Sequence, residues 1–281
     1  MRAVDLYNAL ERDFTLCLRR DSWRIENAHI TPQFHTRGMG LVTDFTQEVG
    51  YVYTAVFPSQ AVTDKILADG RREALLFVHH PMRWDITGPA AFTAIPPGTL
   101  DALRERGVSM YNLHIPLDNN GPYGTTFNLA EALGIAITGE FFEYSGAKVG
   151  IIGQTDCRTI AELKARLEIA VGHEAVLYRY GGGTIKGHTV ALIAGGENIA
   201  EVYRDLRKRG VNTYVTGIAS MRGGYPPSVK AHRAARRRGV SILAGSHYST
   251  EKFACMRMTE YFARLGIPAE FVPDAYGPDD M

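Results

Sequence analysis

A chain of 281 residues, 45% hydrophobic and 22% charged, can bury a large core, enough for one big α/β domain or two smaller intertwined ones. Its 31 Lys and Arg nearly cancel its 30 Asp and Glu, leaving a formal net charge of +1. Bulk attraction to nucleic acid or anionic lipid is therefore not expected, and specificity must come from a local site. The three cysteines, Cys17, Cys157 and Cys255, lack CxxC spacing, which argues against both a disulfide framework and a thiolate zinc knot and fits a reducing compartment.

In chain order, Val4, Leu6, Tyr7, Leu10, Phe14, Cys17 and Leu18 recur at helical spacing, which predicts an amphipathic helix over residues 4 to 20. Its charged residues leave no apolar core for a signal peptide, and no run reaches the roughly 20 apolar residues of a membrane-spanning helix. A cytoplasmic protein without membrane contact is expected. Leu41 to Phe45 and Tyr51 to Phe57 read as strands, Pro58-Ser59 as a helix start leading to Gly70, and Ala74 to Val78 as a short apolar strand ending in His79-His80-Pro81. Pro97 to Gly107 predicts a helix and Val108 to Ile115 a strand. Residues 137 to 194 are rich in strand and glycine. Asn198 to Gly210, Asn212 to Thr216, Ser228 to Gly239 and Val240 to Ala244 then alternate helix and strand. Such alternation implies βαβ units. The expected fold is α/β, two interlinked units with mixed, largely parallel sheets and a strand-rich middle segment, divided into 1–125 and 126–281.

Residues 104–118, RERGVSMYNLHIPLD, align with 236–251, RRRGVSILAGSHYSTE, with one inserted residue. Each copy has a basic helix end, Gly-Val-Ser entering a strand, and then His-x-x-x-acid. Basic helix ends followed by glycine are common, but the shared polar ending favours duplication. Two related units would present both pairs at the carboxyl ends of strands, where α/β sheets hold ligands.

A lone His-His is more often a pair of buried, hydrogen-bonded residues than a site. His79 and His80, however, are joined by two more polar clusters at strand ends. His114 and Asp118 lie in HIPLD, where Pro116 predicts a loop, and His247 and Glu251 stand at i and i+4 on one face of a predicted helix. Imidazole and carboxylate together suit zinc, manganese, iron, cobalt or nickel. His79, His80, Asp118, His247 and Glu251 are too many for one open tetrahedral site and fit two divalent metals, which Asp118 or Glu251 could bridge.

LLFVHHPMRW, NLHIPLDNN with the later NLAEALG, and AGSHYSTE resemble, in that order, the signature segments of the NIF-three-like dinuclear metal-centre family, also known as type 2 GTP cyclohydrolase I. The resemblance implies that His79 and His80 bind different metals, that Asp118 and Glu251 are shared or bridging, and that His247 completes the set. It implies a proton-transfer or supporting role for His114, the candidate catalytic residue, and a homohexameric ring of dimers. The chain departs from the family at residues 23 to 42, where only Trp23 and Gly40-Leu41 echo its opening segment, and at Ile218, where an acid is common.

The expected activity is hydrolysis, a metal-bound hydroxide attacking a small nucleotide-like, cyclic amide or phosphoester substrate while His114 moves a proton. Arg83, Arg179 and Lys186 are candidate phosphate donors. The alternative is a non-enzymatic metal-binding scaffold or regulatory ring. Direct DNA binding through Arg233 to Arg238 is a weaker reading, because such a run usually marks a solvated helix end. Gly181-Gly182-Gly183 lacks the GKS/T of a phosphate loop and predicts a hairpin turn. His29, His35, His173, His188 and His232 have no partner spacing, although His29 or His35 could approach the site.

Overall fold

A computed structural model describes residues 1–15, 20–221 and 226–281. The chain forms two compact units: Met1–Asp85, Pro89–Leu117 and Cys255–Asp274 make the first, and Ile86–Gly88, Asp118–Ala254 and Ala275–Met281 the second. The sequence division at 125/126 misses this exchange of segments. A strand near the end of the chain belongs to the first sheet, and local pattern cannot reveal a partner two hundred residues away.

The first unit contains helices α1 (Ala3–Asp13), α2 (Pro32–Arg37), α3 (Gln60–Asp69) and α4 (Pro97–Arg106). Its strands are β1 (Gly40–Thr43), β2 (Tyr51–Ala55), β3 (Ala74–Val78), β6 (Val108–Asn112) and the late β13 (Ala269–Phe271), with a separate ribbon of β4 (Arg83–Trp84) and β5 (Phe92–Thr93). The sheet order is β1-β6-β3-β2-β13. Only the β1–β6 pairing is antiparallel; β13 joins β2 in parallel with Ala269 opposite Val52. β3 is central and buried at every position, as its unbroken apolar run requires of a strand covered on both faces. Leu76 and Val78 pack with Tyr53, Ile66, Leu100 and Met110, and full burial of each large apolar side chain stabilises by about 1.5–3 kcal/mol. α3 starts where Ser59 Oγ accepts the Val62 N–H at 3.1 Å.

The helix predicted over 4–20 is shorter than its pattern. α1 stops at Asp13, with Phe14 as its C-cap and Thr15 in a left-handed conformation at φ 54°. Phe14 instead packs edge-on against Tyr261, so a tertiary contact takes over the apolar spacing. Cys17 and Leu18 lie outside the described residues.

The second unit contains α6 (Thr125–Ala132), α7 (Ile160–Val171), α8 (Ala200–Lys208) and α9 (Pro226–Arg238), with strands β7 (Ala136–Tyr144), β8 (Ala147–Gln154), β9 (Val176–Tyr178), β10 (Thr189–Leu192), β11 (Thr213–Thr216) and β12 (Ser241–Ala244). The sheet runs β7-β8-β10-β11-β12-β9, parallel only from β10 to β12. α10 (His247–Arg264) follows β12, and the division between the units falls inside it. The triple glycine is not a hairpin turn: β9 and β10 are separated in the sheet by β11 and β12. The loop is instead held by Asn212, whose Nδ2 donates to the Gly181 and Thr184 carbonyls at 3.1 and 2.9 Å. Glycine is needed at 181 because a Cβ there would stand 2.0 Å from the Gly239 carbonyl oxygen. No described helix is long and apolar enough to cross a membrane.

Candidate metal centre

In the first unit, β3 and β6 run side by side in parallel with Val78 opposite Asn112. Their carboxyl ends therefore deliver His79-His80 and His114 to the same rim. Successive residues of a continuing strand would point to opposite faces, but β3 ends at Val78 and the two imidazoles converge, ring centroids 4.3 Å apart. His114 lies 5.1 Å from His79 and 4.7 Å from His80 by the same measure. One ligand nitrogen from each of the three falls within 4.8 Å of the others, a group that could hold a metal ion.

His79 and His80 are buried. His79 Nδ1 is 3.0 Å from the Leu113 carbonyl oxygen. A carbonyl only accepts, so Nδ1 carries the proton and Nε2 the lone pair, the state a metal ligand requires. Phe57 stacks on His80 at 4.7 Å, and Trp23 meets both His80 and Phe92 edge-on. These rings exclude water and strengthen electrostatic interactions at the cluster.

Two residues here carry no spacing signal in the sequence. The Asp21 carboxylate pairs with His114 Nδ1, and the indole N–H of Trp23 donates to the same nitrogen at 3.3 Å. Burial pushes the Asp21 carboxyl up, but His114, the Ser22 N–H and Trp23 together hold it below its ordinary value. Asp21 stands 93 residues from His114, in the stretch leading into the part that departs most from the family pattern. Its only signal is an acid two residues before a tryptophan.

In the second unit, three neighbouring parallel strands end together: β10 leads to Gly195, β11 to Gly217 and β12 to His247. His247 begins α10 and Glu251 follows one turn later. His247 Nε2 and Glu251 Oε1 are 3.3 Å apart, with side chains only 5% and 4% exposed. Gly195, at φ +73°, makes room for this carboxylate, since a Cβ there would lie 2.0 Å from Glu251 Oε1. Thr250 Oγ1 accepts the Gly195 N–H at 3.0 Å and donates to the Ser246 carbonyl. The N-terminus of α10 is capped from a distance: Asp280 Oδ2 accepts the His247 N–H at 3.0 Å.

Asp118 closes a helical turn, α5 (Ile115–Asp118), and accepts a hydrogen bond from Thr125 Oγ1 at 3.2 Å. HIPLD is therefore not a loop. Pro116 occupies the first turn, where an N–H has no intrahelical partner to lose, so proline is tolerated there. The internal similarity consequently extends to structure: each copy places its histidine at the start of a helical turn and its acid four residues on.

Of the remaining histidines, His29, His173 and His232 have other side-chain partners. His29 bonds Asp101 at 2.8 Å, and His35 sits in α2. His173 bonds Ser249 at 2.8 Å and stacks on Tyr276, and His232 accepts from the Tyr180 hydroxyl at 2.9 Å while its Nε2–H bonds the Ala219 carbonyl. His188 lies in a short 3-10 turn. Cys157 and Cys255 are buried thiols outside any disulfide. Arg233, Arg236 and Arg237 are exposed along α9, as a solvated helix end predicts.

Mixed sheets with nitrogen and oxygen donors gathered at the carboxyl ends of adjacent parallel strands define an α/β protein with groups able to hold metal ions. The sequence model of Duf34/NIF3 (NGG1p interacting factor 3) matches residues 27–272, and the chain belongs to that family. It is 26% identical over 242 residues to a "GTP cyclohydrolase 1 type 2 homolog" of Pyrococcus horikoshii, covering 85% of this chain and 90% of the relative. A protein of Halobacterium salinarum with the same name is 27% identical over 206 residues, covering 72% and 76%. The crystal structure of TTHA1606 from Thermus thermophilus shares the fold, with a TM-score of 0.70 over 99% of this chain and 100% of that one at 22% identity.

Proposed function

We propose that His79 and His80, with Asp118, His247 and Glu251, bind one pair of divalent metals, and that the protein is a dinuclear-metal-dependent hydrolase. The observation that carries this reading is that each unit gathers buried donors at strand ends, His79 and His80 in one and His247 with Glu251 in the other, with the His79 lone pair on Nε2. The donor set fits zinc, manganese, iron, cobalt or nickel, and Asp118 and Glu251 have the second oxygen that bridging requires. Bound there, two cations would lower the pKa of water and clamp the oxygens of a displacement.

The chain's own residues supply the rest. Phe57, Trp23 and Phe92 keep water from the imidazoles, Gly195 leaves space for Glu251, and Asp280 holds the first turn of α10 in place. His114 receives or returns a proton during the displacement. The substrate class is a nucleotide or a related cyclic amide or phosphoester, a choice supported by the name of the curated relatives, GTP cyclohydrolase 1 type 2 homolog. The test is turnover of GTP and of a generic phosphodiester by protein reloaded with manganese, zinc or iron. Metal-dependent product formation that disappears in Asp118→Ala supports the reading, and its absence across a broad panel opposes it.

The family description, an interacting factor, favours a second reading, a metal-binding scaffold without turnover. Either role accommodates a cytoplasmic homohexamer. Sedimentation at six times the 31.0 kDa chain mass would support that assembly, and a monomer would refute it.

A further inference from the structure

The first unit holds a cavity of about 320 Å3 that the metal reading leaves unused. β1 and β6 are antiparallel with Leu41 directly opposite Tyr111, so these two side chains share one face of the sheet, and both line the cavity. α1 adds Ala3, Val4, Tyr7 and Glu11 to the same lining, spaced at three and four residues as one helix face requires. The volume suits a small molecule, since ligand cavities run from roughly 300 to 1,000 Å3. Val4 is 53% exposed, so the cavity opens to solvent.

The lining defines the chemistry of an occupant. Tyr111 is fully buried, yet its hydroxyl has no hydrogen-bond partner among the described residues. Burial, and then the charge of Glu11, push this hydroxyl well up, so it stays a neutral phenol that can both donate and accept. Among the described residues the lining has two carboxylates, Glu11 and Asp44, and no Lys, Arg or His. Glu11 is already answered by Arg37, 2.8 Å away, and by Gln33. Asp44 makes no ion pair or side-chain hydrogen bond among the described residues, and burial alone lifts its carboxyl above the ordinary value. Its loop is nevertheless fixed, because Ser109 Oγ accepts the Phe45 and Thr46 N–H at 2.8 and 3.1 Å. The Tyr7 and Tyr111 rings stack with centroids 5.8 Å apart, and with Val4 and Leu41 they supply apolar surface.

We infer that this cavity binds a small primary amine, its ammonium group on Asp44 and the Tyr111 oxygen and its carbon body against Tyr7, Val4 and Leu41. An ammonium group has only donors, and the Asp44 carboxylate and the Tyr111 phenol can both accept. An anion would meet two acids, and a neutral molecule would leave the Asp44 charge unanswered where it is partly desolvated. The assignment uses none of the proposed metal ligands and is independent of the hydrolase reading.

The test is calorimetric titration of the full-length protein with phenethylamine, with its neutral counterpart phenethyl alcohol and with the anion phenylacetate. Phenethylamine should saturate a single site per chain, with the alcohol bound at least about tenfold more weakly and phenylacetate not at all. Asp44→Asn should weaken the amine about tenfold, to the level of the alcohol, and Tyr111→Phe should weaken it about three- to tenfold. Because the Tyr111 hydroxyl has no protein partner, Tyr111→Phe should not lower the Tm of the ligand-free protein. Val4→Trp fills the opening and should abolish binding; Val4 and Asp44 are both exposed, so these two variants should fold. The affinity should be the same with chelator and with added manganese. Equal binding of the three compounds, an unchanged affinity in Asp44→Asn, or binding that needs metal, which would seat the amine at the metal centre, overturns the assignment. So does a lack of saturable binding by phenethylamine and by the smaller butylamine and ethanolamine.

Discussion

At the scale of single residues, glycine and histidine show how little room the site leaves. Gly195 is defined by what stands where its side chain would be, a carboxylate oxygen of Glu251 only 2.0 Å away. Gly195→Ala must both move Glu251 and hold alanine at φ +73°. The expected cost is about 1–3 kcal/mol, read from the urea midpoint, together with weaker metal binding in a calorimetric titration. His232 offers a test by pH. Burial pushes its imidazole below the ordinary value, and the Ala219 carbonyl offsets this only in part. The unfolded chain takes up the proton near pH 6.5, before the folded protein does, so this contribution to stability is complete above that pH and is lost as pH falls through the folded value. His232→Asn should therefore flatten the fall in stability between pH 7 and 5, measured by denaturant titration.

At the scale of elements, α7 gives a local test. Thr159 accepts the Glu162 N–H at 3.2 Å while Glu162 reaches back to the Thr159 N–H, a reciprocal cap. Thr159→Ala should cost about 1 kcal/mol in the urea midpoint and leave metal binding unchanged. Elements of this kind were legible in the sequence because their causes are local. The apolar run of β3, the helix start at Ser59 and the alternation from α8 to β12 all follow from neighbouring residues. The clusters at His79-His80 and His247-x-x-x-Glu251 were legible for the same reason, as polar residues directly after apolar strands. What was not legible depends on contacts across the chain. α1 ends where Phe14 meets Tyr261, the triple-glycine loop is shaped by Asn212, and β13 pairs with β2. Asp21 and Asp280 reach their histidines from 93 and 33 residues away. HIPLD misled for a different reason: proline stops the middle of a helix and fits its first turn.

At the scale of the whole molecule, each unit presents donors at the carboxyl ends of parallel strands, and metal bound to them, as proposed, would link folding to binding. A ligand that binds only the folded protein stabilises it by mass action, about 2.7 kcal/mol when free ligand is a hundred times its Kd. Removing metal with a chelator should lower the Tm, and restoring it should raise the Tm in wild type more than in Asp118→Ala. The most direct test is anomalous scattering at the absorption edges of manganese, iron and zinc, from crystals of metal-loaded protein. Two peaks contacted by His79, His80, Asp118, His247 and Glu251 are predicted. Crystals in which those side chains surround no peak, or hold a single ion on His79, His80 and His114 alone, would contradict the dinuclear centre.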